Sequence, residues 1–218
     1  HAENLAQLGE MESRAHQVYE WIWQKHAMSF ADMTNLSKDL RQKLGENFTL
    51  PSLSTDATQF SSDGTIKSRF KTHDGHLIEG VLIPTKARFT ACVSSQIGCS
   101  LSCKFCATGY IDRKRNLEFD EIYDQVALIN QQSEKTNGKK LSNIVFMGMG
   151  EPLLNYKNVL KSIERITSPD GMAMSPKRIT VSTAGVAKGI RQLGDDKVKF
   201  KLALSLHAAT DKKRHEIM

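Results

Sequence analysis

Hydrophobic and polar positions change period along this chain, and each change predicts a different kind of element. Between residues 11 and 47 the period is helical. In QVYEWIWQKH, Val18, Tyr19, Ile22 and Trp23 share one face, and Phe30, Met33, Leu36, Leu40 and Leu44 form a second, looser stripe. Ser29 and Ser37 stand where N-caps are expected. The Ser-, Thr- and Asp-rich run LPSLSTDATQFSSDG then predicts a linker. Next, Ile66, Ser68 and Phe70 alternate before Asp74-Gly75, and Leu77, Glu79 and Val81 alternate after it. That pattern predicts a β-hairpin, with Asp-Gly supplying the positive φ angles of a type I′ turn and Pro84 ending the second strand.

From residue 88 the pattern becomes strand, loop, helix, repeated. RFTACVSSQI, SNIVFMGMG, KRITVSTAG and VKFKLALSLHA predict strands. NLEFDEIYDQVALINQQSEK predicts a helix with Phe119, Ile122, Val126 and Ile129 on its buried face and Asn116 as its cap. NYKNVLKSIERIT predicts another, burying Val159, Leu160, Ile163 and Ile166, and VAKGIRQLG a short third. Strands alternating with helices imply a parallel sheet, so the fold class is α/β. The expected division is a helical accessory domain over residues 1–50, a linker and β-hairpin over 51–87, and an α/β core over 88–218. Thr210 caps a helix that has barely begun at Met218, so the core is expected to be incomplete at that end.

Composition changes this picture little. At 218 residues, 39% hydrophobic and 25% charged, the chain suits one sizeable core with a small accessory unit. No run approaches the roughly 18 apolar residues of a membrane helix, and HAENLAQLGEMESRAH lacks the layout of a secretory signal. A net charge of +6 is a mild bias towards polyanions, equally compatible with binding none.

The cysteines change it more. Cys92, Cys99, Cys103 and Cys106 all fall in CVSSQIGCSLSCKFC. A disulfide framework staples distant segments, and this crowding does not, so metal or redox chemistry in a reducing compartment is expected. On a helix-like turn, Cys99, Cys103 and Cys106 would point into one sector of about 60°. A structural zinc site draws on two separated ligand pairs, and the second pair is absent here. Three thiolates instead suit an iron–sulfur cube that leaves one iron without a protein ligand.

C-x3-C-x2-C with Phe105 before its last cysteine resembles the radical S-adenosylmethionine (SAM) enzymes. CVSSQIGCSLSCKFCATG, RKRNL, GMGEPLLNY, VSTAG and LSLHAATD, in that order, narrow the resemblance to the RlmN/Cfr family of RNA methyltransferases. It spans essentially the whole chain, including the N-terminal helices and LIEGVLIP.

The resemblance implies a partial radical-SAM (β/α)6-type barrel, C-terminally truncated. Cys99, Cys103 and Cys106 would hold a 4Fe-4S cluster, and Gly150-Glu151 the methionine part of SAM. Ser182 and the run Ser205, Leu206, His207 would contact SAM from strand ends, the rim where barrel enzymes gather their chemistry. Glu79 would be the proton-handling carboxylate. Cys92 would be a resolving thiol: a carrier cysteine forms a covalent adduct with adenine, and Cys92 attacks that cysteine to make a disulfide and free the methylated base. No cysteine follows Cys106, so the carrier is expected beyond Met218, and this chain alone is not expected to methylate RNA.

The activity implied is methylation of adenosine C2 in 23S rRNA and tRNA. The implied setting is a cytoplasmic monomer, away from membranes, reduced by an external electron donor such as flavodoxin. Lys104, Arg113, Lys114 and Arg115 either meet RNA phosphates or form a solvated charged loop. Two alternatives stay open: Cfr-like methylation of C8, and a non-catalytic metal-bearing RNA-binding module.

Overall fold

The computed structural model describes residues 12–50 and 52–218. Its elements, in chain order, are α1 (Glu12–Trp23), α2 (Lys38–Asn47), β1 (Leu53–Phe60), β2 (Ile66–Thr72), β3 (Leu77–Pro84), β4 (Phe89–Cys92), β5 (Gln96–Ile97), β6 (Arg115–Asn116), α3 (Phe119–Asn137), β7 (Asn143–Phe146), α4 (Tyr156–Thr167), β8 (Ile179–Thr183), α5 (Ala187–Asp195), β9 (Lys201–Leu204) and α6 (Asp211–Ile217), with four short 3-10 turns between them. One seven-stranded sheet runs in the order β1-β2-β3-β4-β7-β8-β9. Its first four strands pair antiparallel; β4, β7, β8 and β9 pair parallel. The expected α/β class and the parallel half are both present.

Burial explains the arrangement. Ala91, Ile144, Phe146, Ile179 and Val181 point to one face of the parallel strands and are buried. Ile122, Val126 and Ile129 of α3 and Val159, Ile163 and Ile166 of α4 complete that layer. Each such side chain contributes roughly 1.5–3 kcal/mol when fully removed from water. Phe119 and Leu160, expected in the same stripe, are only half-buried. Phe119 stacks on Trp23 with ring centroids 5.9 Å apart and carries Lys161 Nζ over its ring, 3.9 Å from the centroid. The opposite sheet face is lined by smaller, half-buried positions: Cys92, Val145, Thr180, Ser182 and Ala203.

The N-terminal helices form their own small cluster from Ala15, Val18, Met33, Leu36, Leu40 and Leu44. Ser37 caps α2 by accepting from Leu40 N, while Asp32 accepts from Ser29 N to close the preceding 3-10 turn. Trp23 belongs to the main core instead, edge-on to Tyr123 of α3, whose hydroxyl donates to Trp23 O.

Three expectations are corrected. The run predicted as a linker contains β1, an edge strand whose pattern leaves only Leu53 buried. Ladder bonds to β2 hold it, with a bulge between Thr55 and Ala57, so hydrophobic period carries no trace of it. The hairpin exists, but its turn is not type I′. Gly75 N donates to Thr72 O, and in the loop only Gly75 has positive φ, at 84°. Asp74 keeps a negative φ and uses its carboxylate on Thr72 Oγ1 and Arg115. Finally, α3 is capped at Glu118, with the Glu121 carboxylate reaching back 2.8 Å to Glu118 N; Asn116 is engaged elsewhere.

Asp124 of α3 accepts from Ser52 N at 2.8 Å, beneath the helical lobe. Burial there, with Asp120 and Glu121 nearby, pushes its carboxyl up to about 7. That is above the ~3.9 of an exposed Asp, so the folded state holds this proton more tightly and stability falls as pH rises from about 4 to 7. Asp124→Asn keeps an acceptor for Ser52 N and removes the charge. Melting temperatures across pH 5–8 should fall less in this variant than in the wild type, and an unchanged slope would assign the pH dependence to other groups.

Candidate active site

The cysteine loop is built from its root outward. Val93 extends β4 by one bond, from its N–H to Val145 O at 3.0 Å. The chain then leaves the ladder with three polar residues, Ser94, Ser95 and Gln96, all buried. Burying such groups is costly unless each finds a partner, and here each does. Gln125 accepts from Ser94 N (2.8 Å) and donates to Ser94 O (3.0 Å). Ser94 Oγ donates to Glu79 O (2.6 Å) and accepts from Met149 N (2.9 Å). Ser95 N and Gln96 N both donate to Met149 O. Gln96 Oε1 accepts from Glu151 N at 2.9 Å, and Gln96 Nε2 donates to Asn116 Oδ1 at 2.8 Å.

The glycines of GMGEP are required by this contact. A Cβ on Gly148 would lie 2.7 Å from Ser94 Oγ, and one on Gly150, at φ 92°, would lie 2.4 Å from Gln96 Cβ. Two motifs remote in sequence are thus packed backbone against backbone.

From this root, β5 and β6 pair as a two-rung ribbon that closes the loop between them. Cys99 N donates to Ile111 O across it. The stretch from Cys99 to Cys106 is not the helix-like turn that the spacing suggested. It is an irregular loop with Ser102 at φ 51°, and a 3-10 turn starts only at Ala107. Buried polar roots, not helical periodicity, bring the thiols together.

Cys99, Cys103, Cys106, Gly150, Glu151, Ser182, Ser205 and His207 line one cleft of about 270 Å³ at the C-terminal ends of the parallel strands. Ser182 Oγ and Ser205 Oγ are 3.2 Å apart, and the His207 ring sits 4.2 Å from the Phe105 ring. Leu206 does not line the cleft and is exposed. Glu151 is buried, and both its oxygens are engaged: Oε1 accepts from Leu153 N (3.0 Å) and Oε2 from Ala184 N (2.7 Å). Its carboxylate ties the turn after β7 to the turn after β8. Arg214 reinforces that rim by donating to Ala184 O and, at 3.4 Å, to Ser205 O. Nothing in the sequence pattern singled out Arg214. Gln96 stood inside a recognised motif but had no role to mark it.

All four cysteines are free thiols. Burial raises the Cys103 thiol above its ordinary range, and Cys99 and Cys106 raise it further. The three are close enough to repel as thiolates, but their sulfurs do not all fall within 4.8 Å of one another. Zn–S bonds of about 2.3 Å would place three sulfurs on one ion about 3.8 Å apart. Among the described residues, the one group with single-ion spacing is His73, Asp74 and Glu121. Arg115 fills it, bonding Asp74 (2.7 and 2.9 Å) and Glu121 (2.7 Å twice). Arg115 is therefore not a free phosphate ligand, whereas Lys104, Arg113 and Lys114 are exposed. Its guanidinium holds the Asp74 carboxyl far below the usual carboxylate range.

Glu79 and Cys92 lie outside the cleft. Val81 pairs with Cys92 across β3 and β4, and Glu79 is two residues along, so both side chains take the sheet face opposite the helices. Glu79 is bound to Lys67 at 2.8 Å.

A family model described as the radical SAM superfamily matches residues 93–218, and one described as the ribosomal RNA large subunit methyltransferase N-terminal domain matches residues 2–50. The probable dual-specificity RNA methyltransferase RlmN of Cytophaga hutchinsonii is 61% identical over 210 residues, covering 96% of this chain and 58% of that protein. The dual-specificity RNA methyltransferase RlmN of Geotalea uraniireducens is 44% identical over 214 residues, covering 98% and 60%. The crystal structure of a radical SAM methyltransferase from Sphaerobacter thermophilus superposes with a TM-score of 0.94 at 38% identity, covering 100% of this chain and 64% of that one. The chain thus spans about three fifths of the length of these relatives.

Burial raises the Cys92 thiol above its ordinary range, opposed by a hydrogen bond with the Met147 backbone. Only the thiolate is alkylated. In metal-free protein, iodoacetamide labelling of Cys92, followed by peptide mass spectrometry, should lag a free thiol at pH 8 and catch up as pH rises. Equal rates at pH 8 would contradict the burial effect.

Proposed function

The chain belongs to the radical SAM superfamily, and from that we propose that the intact protein is an RlmN-type methyltransferase acting at C2 of adenosine in 23S rRNA and tRNA. The observation that carries this reading is the single cleft in which three thiols meet the Gly150-Glu151 turn and the Ser182 and Ser205 strand ends. The identity to RlmN proteins along nearly the whole chain supports RNA as the substrate class.

In this reading Cys99, Cys103 and Cys106 hold a 4Fe-4S cluster. The backbone of Gly150-Glu151, the hydroxyls of Ser182 and Ser205, and the Leu206-His207 segment hold SAM. Cluster and SAM, when bound, supply one-electron chemistry that generates a radical. Glu79 handles a proton on the inner sheet face, where it pairs with Lys67. Cys92, on that same face, is the resolving thiol. Its sulfur forms a bond to the carrier sulfur, the carrier's bond to the adduct breaks, and the base leaves with the electron pair and takes up a proton. The carrier lies outside this chain.

Residues 1–50 serve as an accessory domain, 51–87 as the sheet extension that carries Glu79, and 88–218 as the SAM-binding core. Lys104, Arg113 and Lys114 face RNA phosphates. RNA with a splayed-out base suits the open rim. The protein works as a cytoplasmic monomer and takes its electron from an external donor such as flavodoxin. Among the described residues, no helix is long and apolar enough to cross a membrane.

The test uses the intact protein, reconstituted anaerobically. The wild type should bind iron and sulfide and place the methyl group on C2, read by mass spectrometry of digested RNA. Cys92→Ala should keep the cluster and SAM cleavage while accumulating a covalent protein–RNA adduct. Methylation at C8, or zinc bound in place of iron, would overturn the reading, and loss of the cluster in Cys92→Ala would overturn the division of the four cysteines.

A further inference from the structure

The hydrogen bonds of the Gly150–Glu151 peptide leave one polar group, the Gly150 carbonyl, without a protein donor among the described residues. Glu151 N–H is directed to Gln96 Oε1, at 2.9 Å. In a trans peptide the carbonyl points opposite to the N–H, so Gly150 O is turned away from Gln96. Gly150 lines the cleft and Gln96 does not. Among the described residues no donor reaches Gly150 O. Both oxygens of the neighbouring Glu151 carboxylate already take backbone N–H groups.

Gln96 is held with little freedom. It is fully buried, its amide is oriented by donation to Asn116 Oδ1, and its backbone N–H is fixed on Met149 O. Its Cβ abuts Gly150 so closely that no side chain fits there. The 150–151 peptide therefore cannot rotate without breaking the bond to Gln96 or colliding with it.

We propose that Gln96 is a positioning residue that holds the Gly150 carbonyl towards the cleft as an acceptor for the α-ammonium of SAM. This rests on the reading of the cleft as a SAM site. It assigns a task to the glutamine of CVSSQ, which ligates no iron and lines no part of the cleft. It also links the two ends of the site: Gln96 is three residues before Cys99, so one side chain sets both the entry to the cysteine loop and the ammonium acceptor.

The test compares SAM with its deamino analogue in the intact, iron-loaded protein, by equilibrium dialysis. Gln96→Met keeps the volume and removes the acceptor. It should retain wild-type iron and sulfide yet bind SAM about tenfold more weakly, the low end of what losing an outer partner does to the group it orients. Its affinity for the deamino analogue should be unchanged, because that ligand has no ammonium to place. Gln96→Glu, which still accepts from Glu151 N, should recover most of the loss. An equal loss for both ligands, loss of iron, or undiminished SAM binding in Gln96→Met would each overturn the proposal. If Gln96→Met does not fold, Gln96→Glu carries the test alone: iron kept and the preference for SAM over the deamino analogue kept is the expected result, and a lost preference with iron kept overturns it. Failure of the wild type to bind SAM at all would fall on the superfamily reading itself and remove the inference with it.

Discussion

The interlock between residues 93–96 and 148–151 is the constraint on which the site depends. Parallel strands deliver loops to one rim but leave those loops free to diverge. Here the loops after β4 and β7 are joined through Ser94 Oγ, Met149 O and Gln96 Oε1. The partners are buried, so breaking one bond leaves a desolvated polar group, a cost of about 1–3 kcal/mol each. Packing against Ser94 and Gln96 excludes side chains at positions 148 and 150. The cysteine loop, which has no regular structure of its own, inherits its position from this base.

Charged groups extend the same frame sideways. Glu151 carries the join from the β7 turn to the β8 turn, and Arg214 carries it on to Ser205. Arg115 binds the hairpin tip to the start of α3 through two carboxylates, next to the ribbon that closes the cysteine loop. Of these, Glu151 and Arg115 look from sequence like ligands for ammonium or phosphate. The structure shows their charges largely engaged within the protein.

Sequence legibility followed the physics of each element. Ile122, Val126, Ile129, Val159, Ile163 and Ile166 sit in a one-sided core, so their period announced α3 and α4. β1 has no buried face beyond Leu53, and its ladder bonds are invisible to hydrophobicity. Asp74-Gly75 announced a turn, but Arg115 and Thr72 claim the aspartate side chain, and its conformation followed. The C-x3-C-x2-C spacing picked out three thiols that share one cleft while suggesting the wrong local structure, because the loop's path is set by Ser94–Gln96 below it. The roles of Gln96 and Arg214 depend on partners 55 and 30 residues away in the chain, a relation no local pattern encodes.

The central claim is that the base of the site is preorganised before any cofactor binds. Amide hydrogen exchange on the metal-free protein tests it most directly, because exchange reports local opening. The amides of Ser94, Ser95, Gln96, Met149 and Glu151 should exchange as slowly as those of β4 and β7, while those between Ser100 and Cys106 exchange fast. Equally fast exchange across residues 94–106 and 148–151 would mean that the cofactors assemble the site, and would contradict the account.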